Sequence, residues 1–337
     1  MFLKNYWYVA ALSGEVGQTP LARTLCGMPM VLYRTASGAP AALRDLCPHR
    51  RAPLSKGRVV GDTIECGYHG LGFDATGACV RIPGQANIPP QAHVEAFPAA
   101  DRWGWLWVWT GAPAAADPAA IPDKPWLAEP GWHTDRYYYH VKANHQLMSD
   151  NLLDLGHVAY IHADTIGFDA AQMDRDPLVT DVEGTTVRNK RHFVGVEPAP
   201  AVKGWGDFAG LVDRMSVSEW TPPGFTTIQF TIEDATTRLV NRIDHLITPE
   251  TETTHHYWVF FSRNYRIDDA ALTERMYRDN DKVAGQDLDM VEAQQRAISA
   301  APASRDMPIR QDRGLEAAHR ILARLKADEA GESRSVA

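Results

Sequence analysis

Two short cysteine–histidine motifs constrain the fold of this 337-residue chain more than any other feature. They are Cys47-Pro-His49 and Cys66-Gly-Tyr-His69, separated by sixteen residues. Each motif offers one thiolate and one imidazole from a tight turn, so together they supply a complete set of metal ligands. Spacing alone fits either a Cys2His2 zinc site or a [2Fe–2S] cluster with two cysteines on one iron and two histidines on the other.

The arrangement of the motifs favours the cluster. Zinc fingers usually pair cysteine with cysteine and histidine with histidine, on a hairpin and a helix, whereas here each motif mixes the two. From Tyr6 to about Gly111 the sequence predicts short strands between turns, so both motifs are expected on loops of an all-β region. Cys-x-His followed by Cys-x-x-His is the pattern of a Rieske [2Fe–2S] centre, whose raised potential suits a relay fed by a ferredoxin-type donor.

Composition and charge argue against several classes of protein. Apolar residues make up 45% of the chain, as expected for a globular protein, and no apolar run approaches the ~20 residues of a membrane span. The formal charge of -8 argues against nucleic acid as a partner. The N-terminus lacks a signal-peptide pattern. Cysteines placed in metal motifs rather than a disulfide framework predict a reducing compartment, so the cytoplasm is the expected location.

A second candidate metal site follows a Pro/Ala-rich segment over 112–125, which reads as a linker. Apolar spacing predicts one helix over 146–160, with Asp154 and His157 on the same face. His162 lies five residues beyond His157, about 140° round a regular helix. If both histidines bind one metal, the helix must loosen or end between them. Two histidines and a later carboxylate would suit non-haem Fe(II), because that set leaves coordination positions open.

The carboxylate should come from a long helix predicted over 268–300. On chemistry alone its candidates are Asp279, Asp281, Asp287 and Asp289. The other elements predicted for this half are strands over 185–194, 225–232, 239–247 and 255–261, loops over 193–215, and a helix over 313–326. The basic residues that surround the first cysteine motif are either a solvated face or a docking patch for an acidic electron-donor protein: Arg50, Arg51, Lys56 and Arg58.

The whole chain resembles the oxygenase component of Rieske non-haem iron aromatic oxygenases, and most of all the vanillate and dicamba O-demethylase group. The segments that carry the resemblance include Cys47–Gly57, Cys66–Asp74, Trp105–Gly111, Asp150–His157 and Gln286–Gln295. The resemblance implies an α+β fold with an N-terminal all-β Rieske domain over 1–111 and the linker over 112–125. A catalytic domain over 126–328 would follow, with an antiparallel sheet covered by helices in a helix-grip-like arrangement, and then a flexible tail over 329–337.

The resemblance also implies roles for individual residues. The cluster would be held by Cys47, His49, Cys66 and His69, and the mononuclear iron by His157, His162 and Asp287. Asp287 is chosen among the four acids because it precedes the segment Met290-Val-Glu-Ala-Gln-Gln. Asp154 matches the acid that links a cluster histidine of one subunit to an iron histidine of the next, within a head-to-tail homotrimer.

Three further positions concern the substrate pocket and iron. Asn151 matches an asparagine near the iron, His245 matches a substrate-contacting histidine, and Gln229 occupies a strand position from which it could reach the pocket. One departure is local, since members of the family often carry Arg-Gly or Arg-Phe after the first cluster histidine, whereas this chain has Arg50-Arg51. That change leaves the ligands intact and alters the surface that a partner would meet.

The activity implied by the resemblance is O-demethylation of a methoxylated, vanillate-like aromatic acid to a phenol and formaldehyde. Dioxygen would be the cosubstrate, and NAD(P)H would supply electrons through a ferredoxin-type or flavin/[2Fe–2S] reductase. The same architecture leaves open methyl-group hydroxylation, N-demethylation and ring dihydroxylation. Two alternatives of other classes are an electron-transfer Rieske protein without catalytic iron and a zinc-stabilised binding protein.

Overall fold

The computed structural model describes residues 2–335 and divides into two compact units. The first takes in the chain up to Lys124 together with Thr248–Thr251, and the second takes in Pro125–Ile247 and the chain from Glu252 onwards. Each unit has its own apolar core. Within the described residues, no helix is both long and apolar enough to cross a membrane.

The first unit is built from short antiparallel strands, as predicted. Its eleven strands are β1 Trp7–Leu12, β2 Leu21–Leu25, β3 Met28–Arg34, β4 Pro40–Arg44, β5 Arg58–Val60, β6 Thr63–Glu65, β7 Gly72–Phe73, β8 Cys79–Arg81, β9 Ala96–Phe97, β10 Ala99–Arg102 and β11 Trp105–Trp109. They form three sheets, with strand orders β1-β11-β10, β2-β3-β4-β9 and β5-β6-β7-β8. The last of these sheets carries the two cysteine motifs on loops: one precedes β5, and the other joins β6 to β7.

The second unit is organised on a seven-stranded sheet of order β12-β18-β17-β16-β15-β14-β13. The strands are β12 His133–Val141, β13 Val179–Glu183, β14 Thr186–Val196, β15 Val212–Thr221, β16 Phe225–Glu233, β17 Arg238–Thr251 and β18 Thr254–Arg263. Antiparallel pairing places every second residue on the same face. In β14 the buried positions accordingly alternate, at Val187, Asn189, Arg191 and Phe193.

Helices cover this sheet, in agreement with the predicted fold class. They are α1 His145–Leu153, α2 Val158–Ile161, α3 Gln172–Arg175, α4 Ala270–Ala300 and α5 Arg313–Ser335. The long helix α4 begins where the Asp269 carboxylate accepts a hydrogen bond from the Leu272 backbone N–H at 2.9 Å. Its buried residues Leu272, Met276 and Val291 join one apolar cluster with the sheet, so α4 is held against the strands by its apolar side.

The single helix predicted over 146–160 is wrong, because α1 ends at Leu153. Asp154 takes an extended backbone conformation there, and its Oδ1 accepts a hydrogen bond from the Gly156 N–H at 2.7 Å. This local side-chain bond competes with helical pairing. The helix does end before the second histidine as required, since α2 stops at Ile161 and His162 follows it.

Two boundaries also differ from the sequence analysis. The region predicted as loops over 193–215 contains the end of β14 and the start of β15 at Val212, because β-branched residues at both edges extend the strand pairing. The final helix continues to Ser335 and thus through most of the predicted tail, since alanine and glutamate there favour helix. Residues 336 and 337 lie outside the described part of the chain.

Candidate metal centres and substrate cavity

The two cysteine motifs fold into loops with the same backbone hydrogen bonds. In the first loop, the Cys47 N–H donates to Ala52 O at 2.9 Å and the Arg51 N–H donates to Cys47 O at 2.8 Å. The second loop repeats both bonds at the same spacing, through Cys66, Gly70 and Leu71. The residue four positions after each cysteine therefore adopts a left-handed conformation, with φ of 59° at Arg51 and 73° at Gly70.

The donor groups of these loops are paired by type. The Cys47 and Cys66 thiols are buried, and the exposed rings of His49 and His69 have centroids 4.6 Å apart. Burial raises the pKa of the Cys47 thiol, and the adjacent Cys66 raises it further. No three of these four described residues bring their donor atoms within 4.8 Å of one another, as a single tetrahedral zinc would require. The pairing instead fits a two-iron cluster.

A basic surface surrounds the exposed histidines. Arg50, Arg51, Lys56 and Arg58 are all exposed. Arg58 is paired with Glu65 at 2.8 Å, whereas no ion pair within the described residues involves the other three. Positive charge therefore remains beside His49 and His69, where an acidic protein could approach.

His157, His162 and Asp287 meet in the second unit. His157 lies immediately before α2, His162 immediately after it, and Asp287 on α4. Asp287 Oδ1 lies 3.1 Å from His162 Nε2 and 3.5 Å from His157 Nε2, and one donor atom from each residue falls within a 4.8 Å group. Two neighbouring ligands each ~2.1 Å from one metal lie about 3 Å apart. The three donors therefore have the spacing of a two-histidine, one-carboxylate site.

Neighbouring side chains orient these three donors. His162 Nδ1 hydrogen-bonds Gln286 Oε1 at 2.8 Å, which directs Nε2 towards the site. Asn151 Nδ2 donates to Asp287 Oδ1 at 3.0 Å. Burial works to raise the pKa of Asp287, yet the hydrogen bond with His162 and the nearby His157 hold that pKa below its ordinary value. Gln286 was not singled out from the sequence, although it directly precedes the selected aspartate.

The structure distinguishes among the four candidate acids on α4. Asp281 accepts a hydrogen bond from the Tyr139 hydroxyl at 2.8 Å, Asp279 lies 3.5 Å from Arg275, and Asp289 is exposed. Only Asp287 groups with the two histidines among the described residues. Asp154, predicted as a link between subunits, is partly exposed and its Oδ2 lies 3.8 Å from His157 Nδ1.

A cavity of about 130 Å³ adjoins the three donors. An apolar cavity of ~150 Å³ is known to hold benzene, so this space suits one aromatic ring. It is walled by one face of the sheet, by the start of α2 and by α4, and its lining includes Tyr137, Leu155, Trp205, Ile228, Phe230, Ile243, Val259, Phe261, Val283 and Ala284.

The two predicted substrate contacts differ in outcome. His245 lines the cavity, and its Nδ1 lies 2.6 Å from the Tyr257 hydroxyl, whose pKa burial raises well above its usual value. Gln229 is absent from the lining, whereas Ile228 and Phe230 on either side of it are present. The interpretation of Gln229 as a contact is wrong because successive residues of a strand face opposite sides.

Arg214 is a cavity residue that the sequence analysis missed. It lies on β15, is 7% exposed and lines the cavity together with Ser216, two positions further along the strand. Assigning 193–215 to loops concealed it, because an inward-facing arginine is recognisable only once the strand has been placed. Its position in the alternation Val212, Arg214, Ser216 is the signal that could have found it.

A [2Fe–2S]-type pair of ligand loops and a largely buried His–His–Asp site beside a ring-sized cavity define an iron-dependent oxygenase. Family comparison agrees: residues 6–98 match the Rieske [2Fe-2S] domain, and residues 141–328 match the vanillate O-demethylase oxygenase C-terminal domain. The chain therefore belongs to the vanillate O-demethylase oxygenase family of Rieske proteins.

Individual relatives match over nearly the full length. A putative toluene-4-sulfonate monooxygenase system iron-sulfur subunit of Comamonas testosteroni is 40% identical, covering 98% of this chain and 99% of its own. A vanillate O-demethylase oxygenase subunit of a Pseudomonas species is 35% identical, covering 98% and 96%. The crystal structure of dicamba monooxygenase bound to 3,6-dichlorosalicylic acid matches with a TM-score of 0.92 at 34% identity, covering 98% and 99%.

Proposed function

We propose that this chain is the terminal oxygenase of a multicomponent system that O-demethylates a methoxylated aromatic acid. The observation that carries the proposal is the placement of His157, His162 and Asp287 beside a cavity sized for one aromatic ring. Cys47, His49, Cys66 and His69 would hold the [2Fe–2S] cluster, because their donors are paired as that cluster requires.

The residues around the triad are suited to hold iron and a substrate side by side. His157, His162 and Asp287 would hold a mononuclear Fe(II), which would supply oxygen activation when bound. Gln286 fixes the orientation of His162, and Asn151 fixes that of Asp287. The apolar walls would exclude water from the site, and the methoxy carbon of the substrate would be the position that is hydroxylated. The resulting hemiacetal would collapse to a phenol and formaldehyde.

Electron supply would follow the arrangement of the family. We infer a ferredoxin-type or flavin/[2Fe–2S] reductase, itself fed by NAD(P)H, that docks on the basic surface around His49 and His69. Asp154 would carry electrons between subunits of a head-to-tail homotrimer, which its partial exposure and its position 3.8 Å from His157 support. The cytoplasm is the proposed compartment, supported by four free cysteines.

A second candidate function is hydroxylation of an aryl methyl group. It is favoured by the 40% identity to a putative toluene-4-sulfonate monooxygenase subunit. Both reactions would place a methyl carbon beside the iron. That carbon is bonded to the ring directly in an aryl methyl compound and through an oxygen atom in a methyl ether. They differ in product, because only the methyl ether releases formaldehyde.

The proposal can be tested with purified, iron-loaded protein, a ferredoxin-type reductase, NADH and dioxygen. Vanillate and 4-methoxybenzoate should give formaldehyde in proportion to the oxygen consumed, and toluene-4-sulfonate should give an alcohol if the second function applies. If no aryl methyl ether releases formaldehyde, the demethylase proposal is wrong. Iron content separates the remaining alternative, since an electron carrier would hold about two irons per chain and an oxygenase about three.

A further inference from the structure

The cavity wall contains a positive charge that the protein does not neutralise. Arg214 is 7% exposed, and no carboxylate of the described residues lies within ion-pairing distance of its guanidinium. Its Nη1 donates to Gly167 O at 3.3 Å, whereas the buried Nε has no partner among the described residues. Burial lowers the pKa of Arg214 to about 9, so the group remains charged at neutral pH. A buried, unpaired charge is costly unless something compensates it.

A second buried arginine adds to the positive potential. Arg191 on β14 is 3% exposed, and the guanidinium carbons of Arg191 and Arg214 lie 5.8 and 5.5 Å from the centroid of the same ring, that of Phe168. Arg191 Nη2 donates to Gln311 Oε1 at 3.1 Å, but Nε and Nη1 have no partner in the described chain. The two like charges disfavour each other, and an anion beside Arg214 would relieve both.

The aromatic rings around Arg214 offset only part of this cost. Its guanidinium carbon lies 4.6 Å from the centroid of Phe230 and 5.5 Å from that of Phe168, distances typical of cation–π contact. Such contacts engage the face of the guanidinium and leave its Nε–H, in the guanidinium plane, without an acceptor among the described residues. An N–H edge of this kind suits two oxygens of a carboxylate or sulfonate.

We propose that Arg214 binds the anionic group of an aryl carboxylate or sulfonate and thereby sets the specificity of the cavity for aromatic acids. This inference rests on the proposed function, in that the anion belongs to the molecule presented to the iron. An apolar cavity with a single cationic group on its wall selects a ring that carries a negative charge and fixes which end faces the triad. Arg191, against the same Phe168 ring, adds to the positive potential near Arg214.

The test compares 4-methoxybenzoate with its neutral counterpart 4-methoxybenzamide. Binding is measured by calorimetry on the oxidised holoprotein, which does not turn over without reductant. The wild type should bind the acid at least tenfold more tightly than the amide. Arg214→Met should lower affinity for the acid about 10- to 100-fold, as expected when a charged hydrogen bond is lost, and should leave amide binding unchanged. Arg214→Lys should lose less, because it keeps the charge.

The matched control is Arg188→Met, on the strand next to β15. Arg188 pairs with Glu183 at 2.8 Å and with Glu219 at 2.5 Å and lies outside the cavity lining, so this variant should bind both compounds as the wild type does. Arg214→Met should also unfold at the same temperature as the wild type or a higher one, because it removes an uncompensated buried charge.

Two binding results would overturn the inference. Equal binding of acid and amide by the wild type would show that no anion is recognised, and a parallel loss of both in Arg214→Met would assign Arg214 a structural role. If the Met variant fails to fold, Arg214→Lys with the same two compounds decides. Formaldehyde release is measured separately. Acid-selective binding without formaldehyde would contradict the demethylase function and keep the anion site. Equal formaldehyde release from the acid and the amide would keep the demethylase function and contradict the anion site.

Discussion

The two metal centres of this protein are built in opposite ways. In the cluster loops, backbone hydrogen bonds shape each turn around its own cysteine, the thiols are buried and the imidazoles are exposed. In the His–His–Asp site, donors come from the ends of α2 and from the distant α4, and side chains such as Gln286 orient them. The first centre therefore depends on local backbone conformation, and the second on the packing of helices against a sheet.

The largest expected effect tests whether the two centres are independent. Asp287→Asn removes the charge of the proposed ligand on α4, so the mononuclear iron should be lost and turnover should fall by more than ~100-fold, beyond the loss typical of an outer-sphere partner. The visible absorbance of the cluster should not change. Iron analysis, absorbance and formaldehyde release check this. Asp289→Asn, exposed on the same helix, is the control and should behave as the wild type; loss of cluster absorbance in Asp287→Asn would refute independence.

A smaller loss is expected where only the orientation of a ligand is disturbed. Gln286→Leu removes the acceptor beside His162 Nδ1, so affinity for iron should fall about 10- to 100-fold. Gln286→Glu keeps an acceptor at that position and should retain most of the affinity. Competition with a chelator of known strength measures both. Equal iron affinity in the Leu variant and the wild type would mean that packing alone orients His162.

This contrast also explains how much the sequence could predict. Cys47, His49, Cys66 and His69 follow from spacing within one short region, because local turns bring them together. His157 and His162 were recognisable as candidates, but four acids on α4 were chemically equivalent, and only the family resemblance selected Asp287. The structure distinguishes the four acids because Asp287 lies on the side of α4 that faces the two histidines, and its donor atom groups with theirs.

The missed residues share a physical reason. Arg214 and Gln229 both depend on which face of a strand meets the cavity, and a shift of one residue reverses that face. Sequence placed Gln229 on a strand with no means of choosing its side, and placed Arg214 in a loop. The end of α1 has a different cause, the hydrogen bond that the Gly156 N–H donates to the Asp154 carboxylate. The spacing of apolar residues over 146–160 carries no information about that bond.

The two cluster loops differ in the residue at their left-handed position. Arg51 occupies the left-handed position that Gly70 fills in the second loop, at a cost of roughly 1–2 kcal/mol for a residue with a Cβ. Arg51→Gly should remove this strain. Glycine also gives the unfolded chain more conformational freedom, which offsets ~0.4–1 kcal/mol of the gain. The net gain of about 0.5–1 kcal/mol should raise the temperature at which the cluster absorbance bleaches.

Arg50→Gly is the matched control for this loop. Arg50 is exposed, precedes Arg51 and is not in the left-handed region, so the substitution adds freedom to the unfolded chain without relieving strain. Its bleaching temperature should be unchanged or slightly lower. If Arg51→Gly bleaches at the same temperature as Arg50→Gly, the left-handed conformation of Arg51 does not destabilise the protein, and the two loops are not equivalent in this respect.

The smallest effect concerns how helices hold the second unit, through the pair formed by Asp150 on α1 and His319 on α5. His319 Nε2 lies 2.8 Å from Asp150 Oδ1, and this contact raises the pKa of His319 above its ordinary value. While Asp150 is ionised, the stabilisation is therefore fully present below about pH 6.5, the pKa of an unfolded histidine, and is lost as the pH rises through the folded pKa of His319. Burial raises the pKa of Asp150, so the stabilisation also falls in acid, where that carboxylate takes up a proton. Because His319 is half exposed, the pair contributes only about 0.5 kcal/mol to the free energy of unfolding.

His319→Gln should lower the unfolding temperature at pH 6 and match the wild type at pH 9. The control is His192→Gln, at an exposed position on β14, which should have the same unfolding temperature as the wild type at both pH values. A gap between wild type and His319→Gln that is the same at pH 6 and pH 9 would mean that α5 is held by packing, the same kind of force that assembles the iron site.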